Sequence, residues 1–121
     1  MSDRTRYRLA DVLDAVEQIE ELLASKVFDD LISDRPLKAA FERFLEILSE
    51  AAKHIPQELR DMEPEIEWRN IGNIGNHLRH AYHRVDAEIL WNLYAHGKLA
   101  ELKEAILRIS GRDNSGKTES S

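Results

Sequence analysis

The stretch Pro36–His54, P-L-K-A-A-F-E-R-F-L-E-I-L-S-E-A-A-K-H, decides the fold class. Its apolar residues Leu37, Ala40, Phe41, Phe44, Leu45, Ile47, Leu48 and Ala51 recur at three- and four-residue intervals, with charged residues between them. On a helix those intervals gather the apolar side chains on one face, so the segment predicts an amphipathic helix with a buried side. Ser33 or Asp34 stands where the N-cap belongs, and Pro36 falls in the first turn, where its missing N–H costs nothing.

The same period continues on both sides. Upstream, Leu9, Val12, Leu13, Val16, Ile19, Leu22 and Leu23 predict a helix from about Arg6 to Ala24, and Val27–Ile32 reads as a separate helical turn capped by Ser25. Downstream, Pro56 and Pro64 bracket a connection with room for one short turn of helix. Asp86 is a good N-cap for a helix whose apolar face is Ile89, Leu90, Leu93 and Tyr94. Leu99, Leu102, Ile106 and Ile109 mark a last helix stopped at Gly111. No segment alternates as a strand does. The expectation is all-α: an antiparallel bundle of four to five helices over residues 1–110, then a disordered polar tail over 111–121.

At 121 residues the chain can bury one working core without staples. It has no cysteine, which excludes disulfides and thiolate metal sites and suits a reducing, cytoplasmic setting. Neither a signal peptide nor a membrane span is expected, because the apolar runs are only a few residues long. The net charge of −6 argues against indiscriminate nucleic-acid binding, and neither DNA nor a membrane is an expected partner.

One stretch departs from that acidic background. Trp68–Val85, W-R-N-I-G-N-I-G-N-H-L-R-H-A-Y-H-R-V, contains no Asp or Glu and holds three of the five histidines together with Arg69, Arg79 and Arg84. This island carries +3 while the remainder carries −9, so an anion docked there feels mainly the island, given screening over about 8 Å. Read as one helix, it presents Trp68, Ile71, Gly75, Leu78 and Tyr82 as a core stripe. Gly72 and Gly75 then suggest close approach of another backbone. Asn76, Arg79, His80 and His83 fall on a narrow arc away from that stripe.

Guanidinium, amide and imidazole on one surface can hold a phosphate and move protons near neutral pH. That set suits RNA cleavage, in which the ribose 2′-OH is the nucleophile and the protein supplies acid, base and charge stabilisation. Two other readings stand beside it. Histidines three apart can form a solvated polar face, and the arginines can pair with the chain's many acids. The spacing of His77, His80 and His83 also admits a metal, but the island supplies no carboxylate, and neither a metal nor a cofactor is expected. No Gly-rich phosphate loop and no nucleophile with triad partners is recognisable.

W-R-x-I, then G-N-x-x-x-H-x-Y, then V-D and the helix E-I-L-W-N-L-Y, together resemble the HepT-like branch of the HEPN (higher eukaryotes and prokaryotes nucleotide-binding) domains. The likeness in layout covers nearly the whole chain, from the acidic first helix to K-L-A-E-L. It implies a helical bundle that dimerises so that two motif helices line a shared cleft. It also implies a metal-independent endoribonuclease toxin, neutralised by a cognate minimal nucleotidyltransferase antitoxin that can transfer AMP to a tyrosine. Residue by residue, the resemblance makes Asn76 the polar residue of the motif, His80 the catalytic histidine and Tyr82 the modifiable tyrosine. Gly75 stands where the motif has its arginine. Arg79, one turn later on the arc, is the candidate to take over the phosphate contact, with His83, Arg69 and Arg84 as further binding residues. The alternative is a non-catalytic module that binds RNA, nucleotide or the nucleotidyltransferase.

Overall fold

The computed structural model describes residues 1–120, with side chains through Arg112. Among the described residues there are eight helices and no strand: α1 (Asp3–Leu23), α2 (Phe28–Ser33), α3 (Arg35–Lys53), α4 (Gln57–Arg60), α5 (Trp68–Gly72), α6 (Ile74–Leu78), α7 (Arg84–Ala95) and α8 (Lys98–Ser120). The all-α expectation holds. No helix is long and apolar enough to cross a membrane among the described residues.

The caps follow the local chemistry. Ser2 accepts from the Thr5 N–H at 3.1 Å to start α1, and Asp34 accepts from the Leu37 N–H at 3.1 Å to start α3, with Pro36 inside the first turn. Ser25 does not cap α2. It sits at φ 66°, and α2 is instead started by Asp30, whose carboxylate reaches back to the Val27 N–H at 2.8 Å.

On α3 the buried stripe is Leu37, Phe41, Leu45, Leu48 and Ala52, and on α1 it is Leu9, Val12, Val16, Ile19 and Leu23. These two faces form the centre of the core with Leu99, Leu102, Ile106 and Ile109 of α8. Each large aliphatic side chain buried there contributes about 1.5–3 kcal/mol, which offsets the entropy of ordering the chain. Helix α1 runs antiparallel to both neighbours. Its N-cap Ser2 and its first-turn Thr5 share a cleft with Pro56 beyond the end of α3 and with Ile109 late in α8, while Glu20 near its far end meets Lys103 at 3.0 Å.

Two further sequence expectations fail at helix ends. Asp86 does not cap α7. The helix begins earlier, at Arg84, with His83 at the N-cap, so Asp86 lies in the first turn. Helix α8 passes Gly111, its expected stop, and continues to Ser120. A glycine in a helix costs only about 1 kcal/mol relative to alanine, so it does not by itself end one. The side chains of the expected tail from residue 113 onward lie outside the described residues.

Candidate functional site

The basic island is not one helix. It is α5, a break at Asn73, α6, and then a turn over residues 79–83 that leads into α7. The break follows from composition. Gly72 and Gly75 weaken the helix on either side of Asn73, and asparagine readily leaves helical geometry for a turn. No backbone closes on either glycine: a Cβ at Gly75 would meet no atom within 4 Å, and one at Gly72 would meet only the Lys53 side chain, at 3.5 Å. The expected close backbone approach is therefore absent.

Two anchors hold this segment to the bundle. Trp68 donates its indole N–H to the carbonyls of Arg60 and Glu63, both at 3.1 Å, which fixes the start of α5. At the other end of α5, the buried Ser49 hydroxyl on α3 donates to the Ile71 carbonyl at 2.9 Å, with the Gly72 carbonyl at 3.3 Å. Below the indole, Glu63 is itself buried. It accepts from Arg108 at 2.7 and 3.0 Å and pairs with Arg112 at 2.9 Å, joining the connection before α5 to α8. Hydrogen bonding from Arg108 holds the Glu63 carboxyl below the usual glutamate range against the opposing effect of burial, with the charges of Arg108 and Arg112 adding to it.

The apolar residues that the segment buries are Ile71, Ile74 and Ala81, with Leu78 packed beside them. The stripe expected through Gly75 and Tyr82 is not the one formed. Tyr82 is 77% exposed, because the helix has ended before it and the turn carries its ring outward. Its ring centroid lies 4.2 Å from that of His83, and His83 lies 6.4 Å from His80. On a continuous helix Tyr82 would sit about 200° round from His80, so the turn is what brings the three rings to one surface. The turn is held by backbone bonds from the His80 N–H to the His77 carbonyl at 3.1 Å and from the His83 N–H to the His80 carbonyl at 2.9 Å.

Asn76 and Arg79 are brought together, the guanidinium donating to the side-chain carbonyl of Asn76. Both are exposed, as are His80 and His83. The other two arginines do not join the cluster. Arg84 lies over the Phe28 ring at 5.0 Å and 3.6 Å from Asp29, which draws it toward α2. Arg69, exposed on α5, has no ion pair or hydrogen bond among the described side chains. Among the described residues no group of three His, Asp or Glu side chains could hold a metal ion.

One pair was not foreseen from the sequence. His77 Nδ1 lies 3.0 Å from Asp86 Oδ1, linking α6 to the first turn of α7. The two are nine residues apart, with a turn between them, and in local sequence Asp86 carries only the signature of a helix cap.

Residues 12–109 match the family model described as ribonuclease HepT-like. The chain is 40% identical over 83 residues to the "Probable ribonuclease HepT" of Thermococcus cleftensis, an alignment covering 69% of this chain and 76% of that protein. It is 31% identical over 104 residues to the "Putative RNase TTE0752" of Caldanaerobacter subterraneus, covering 86% and 92% respectively. It is 27% identical over 111 residues to the "Putative RNase MJ0127" of Methanocaldococcus jannaschii, covering 89% and 92%. No solved structure gives a significant match. The chain belongs to the ribonuclease HepT-like family of HEPN domains.

Proposed function

We propose that the chain is a metal-independent endoribonuclease that cleaves RNA by attack of the ribose 2′-OH. The observation that carries this reading is that Asn76 with Arg79, and His80 with His83, stand exposed over the end of α6 and the turn after it in a ribonuclease HepT-like chain. Arg79, oriented by Asn76, offers its fork of donors to the phosphate, and His80 exchanges a proton with the reacting oxygens. His83 and Arg69 hold the flanking backbone of the RNA. Arg84 makes a lesser contribution, because Asp29 and Phe28 already engage it.

The same reading makes the protein the toxin of a toxin–antitoxin pair in the cytoplasm, neutralised by a minimal nucleotidyltransferase that transfers AMP to Tyr82. The exposure of Tyr82 beside His83 supports its accessibility to such a partner. Homodimerisation is supported by Val85 and Ile89, which expose apolar side chains on successive turns of α7, at 70% and 40%.

The test is incubation of single-stranded RNA with the purified protein in chelator. Cleavage leaving a 2′,3′-cyclic phosphate, abolished by His80→Ala, is the expected result. Intact RNA with a folded protein, bound with an affinity that Arg79→Ala weakens, favours the non-catalytic binding module, for which Gly75 in place of the motif arginine is the specific support.

A further inference from the structure

We infer that His77, oriented by Asp86, is a second proton-transfer group of the same site, acting as the base on the ribose 2′-OH while His80 acts as the acid on the leaving oxygen. This rests on the ribonuclease reading above. An ionised carboxylate can only accept, so in the neutral imidazole the 3.0 Å contact places the proton on His77 Nδ1 and leaves the lone pair on Nε2. Nε2 has no hydrogen-bond partner among the described side chains, and the His77 side chain is 37% exposed, so a substrate hydroxyl can reach it. The Asp86 carboxylate, 23% exposed, also stabilises the imidazolium that forms once His77 takes a proton.

A displacement at phosphorus needs a base near the nucleophile and an acid near the leaving group. His77 and His80 lie three residues apart at the two ends of one turn, joined by the His80 N–H to His77 carbonyl bond at 3.1 Å. Between them in sequence, Arg79 holds the phosphate. In the step itself, His77 Nε2 takes the 2′-OH proton and the 2′-oxygen forms its bond to phosphorus. The bond from phosphorus to the 5′-oxygen breaks, and that oxygen takes a proton from His80. The products are a 2′,3′-cyclic phosphate and a free 5′-OH, and no other reactant is required.

Other charged groups on the neighbouring elements are engaged elsewhere or lack contact with His77. On α3, Glu50 and Lys53 pair at 3.8 Å, Arg84 of α7 faces Asp29, and Arg79 is bonded to Asn76. Arg69 of α5 and Glu88 of α7 make no ion pair with His77 among the described residues.

The experiment compares cleavage rates of the full chain with His77→Asn, Asp86→Asn and His80→Ala across pH. Asparagine at 77 keeps an amide N–H that can bond Asp86 while removing the titrating base, so a structural tie survives and proton transfer does not. His77→Asn is expected to lower the rate by about 10²–10⁴-fold and to flatten the acid limb of the profile without lowering the thermal midpoint. A substrate with a sulfur at the bridging 5′ position, which leaves without protonation, is expected to rescue His80→Ala and not His77→Asn. A wild-type rate and profile in folded His77→Asn overturns the inference, and so does sulfur rescue of His77→Asn. Intact RNA with the wild-type chain overturns both this inference and the ribonuclease reading. Cleavage that depends on His80 but not on His77 overturns only the inference.

Discussion

Among the described residues Ser49 is the single buried polar side chain that ties α3 to the backbone of the motif segment, and replacing it with alanine tests that link directly. The substitution removes one oxygen and leaves the rest of the side chain, so no apolar cavity is created. What is lost is the bond to the Ile71 carbonyl at 2.9 Å, with its weaker extension to the Gly72 carbonyl at 3.3 Å, at a residue 3% exposed. A net hydrogen bond contributes about 1 kcal/mol, and the loss of the buried donor from the Ile71 carbonyl adds to that, giving about 1.5–2 kcal/mol. With a urea slope of about 1.5 kcal/mol per molar, the midpoint falls by about 1 M. Urea titration followed by far-UV circular dichroism measures it, and the slope itself is expected to stay unchanged. Loss of the tie also frees α5 to shift against α3, so RNA cleavage is expected to fall several-fold in the folded protein. A midpoint shift below about 0.2 M refutes the argument that Ser49 holds the segment in place.

Three further outcomes follow from the same geometry. Gly75→Arg restores the guanidinium that the family motif carries, at a position where a Cβ meets no atom within 4 Å, and is expected to raise the cleavage rate by about 10- to 100-fold. An unchanged rate in that variant means that Arg79 already fills the role. Glu63 has its carboxyl held low by Arg108, so its contribution to stability is complete above the ordinary glutamate value of about 4.3 and is lost as pH falls through the lower folded value. The stability gap between wild type and Glu63→Gln therefore narrows on acidification, and a constant gap in chemical denaturation argues against the Arg108 clamp. Gly97, at φ +80°, joins α7 to α8, and Gly97→Ala is expected to cost about 1 kcal/mol and lower the thermal midpoint by several degrees.

The core was legible in the sequence because it is written in local period. The stripe Leu37, Phe41, Leu45 and Leu48 is buried as the spacing predicts, and so is Val12, Val16 and Ile19 on α1. Helix ends were legible where a side chain can act on its own neighbours, as at Asp34, and were misread where a distant group competes for the same side chain. Asp86 has the chemistry of a cap, but in the fold its carboxylate faces His77. The island was misread for a related reason. A period of 3.6 assumes an unbroken helix, and two glycines around Asn73 together with the end of α6 at Leu78 break that assumption.

By itself the sequence determined an all-helical bundle and a cationic island in an acidic chain, and it singled out Asn76, Arg79, His80 and His83 as candidate chemical residues. These properties depend on composition and on contacts within a turn or two, which residue order specifies directly. Only the tertiary structure decided that Tyr82 points outward beside His83, that Arg84 is drawn toward α2, and that His77 meets Asp86. Each of those depends on the path of a broken helix pinned between Trp68 and Ser49, and the pins are contacts across 8 and 22 residues that no local period encodes.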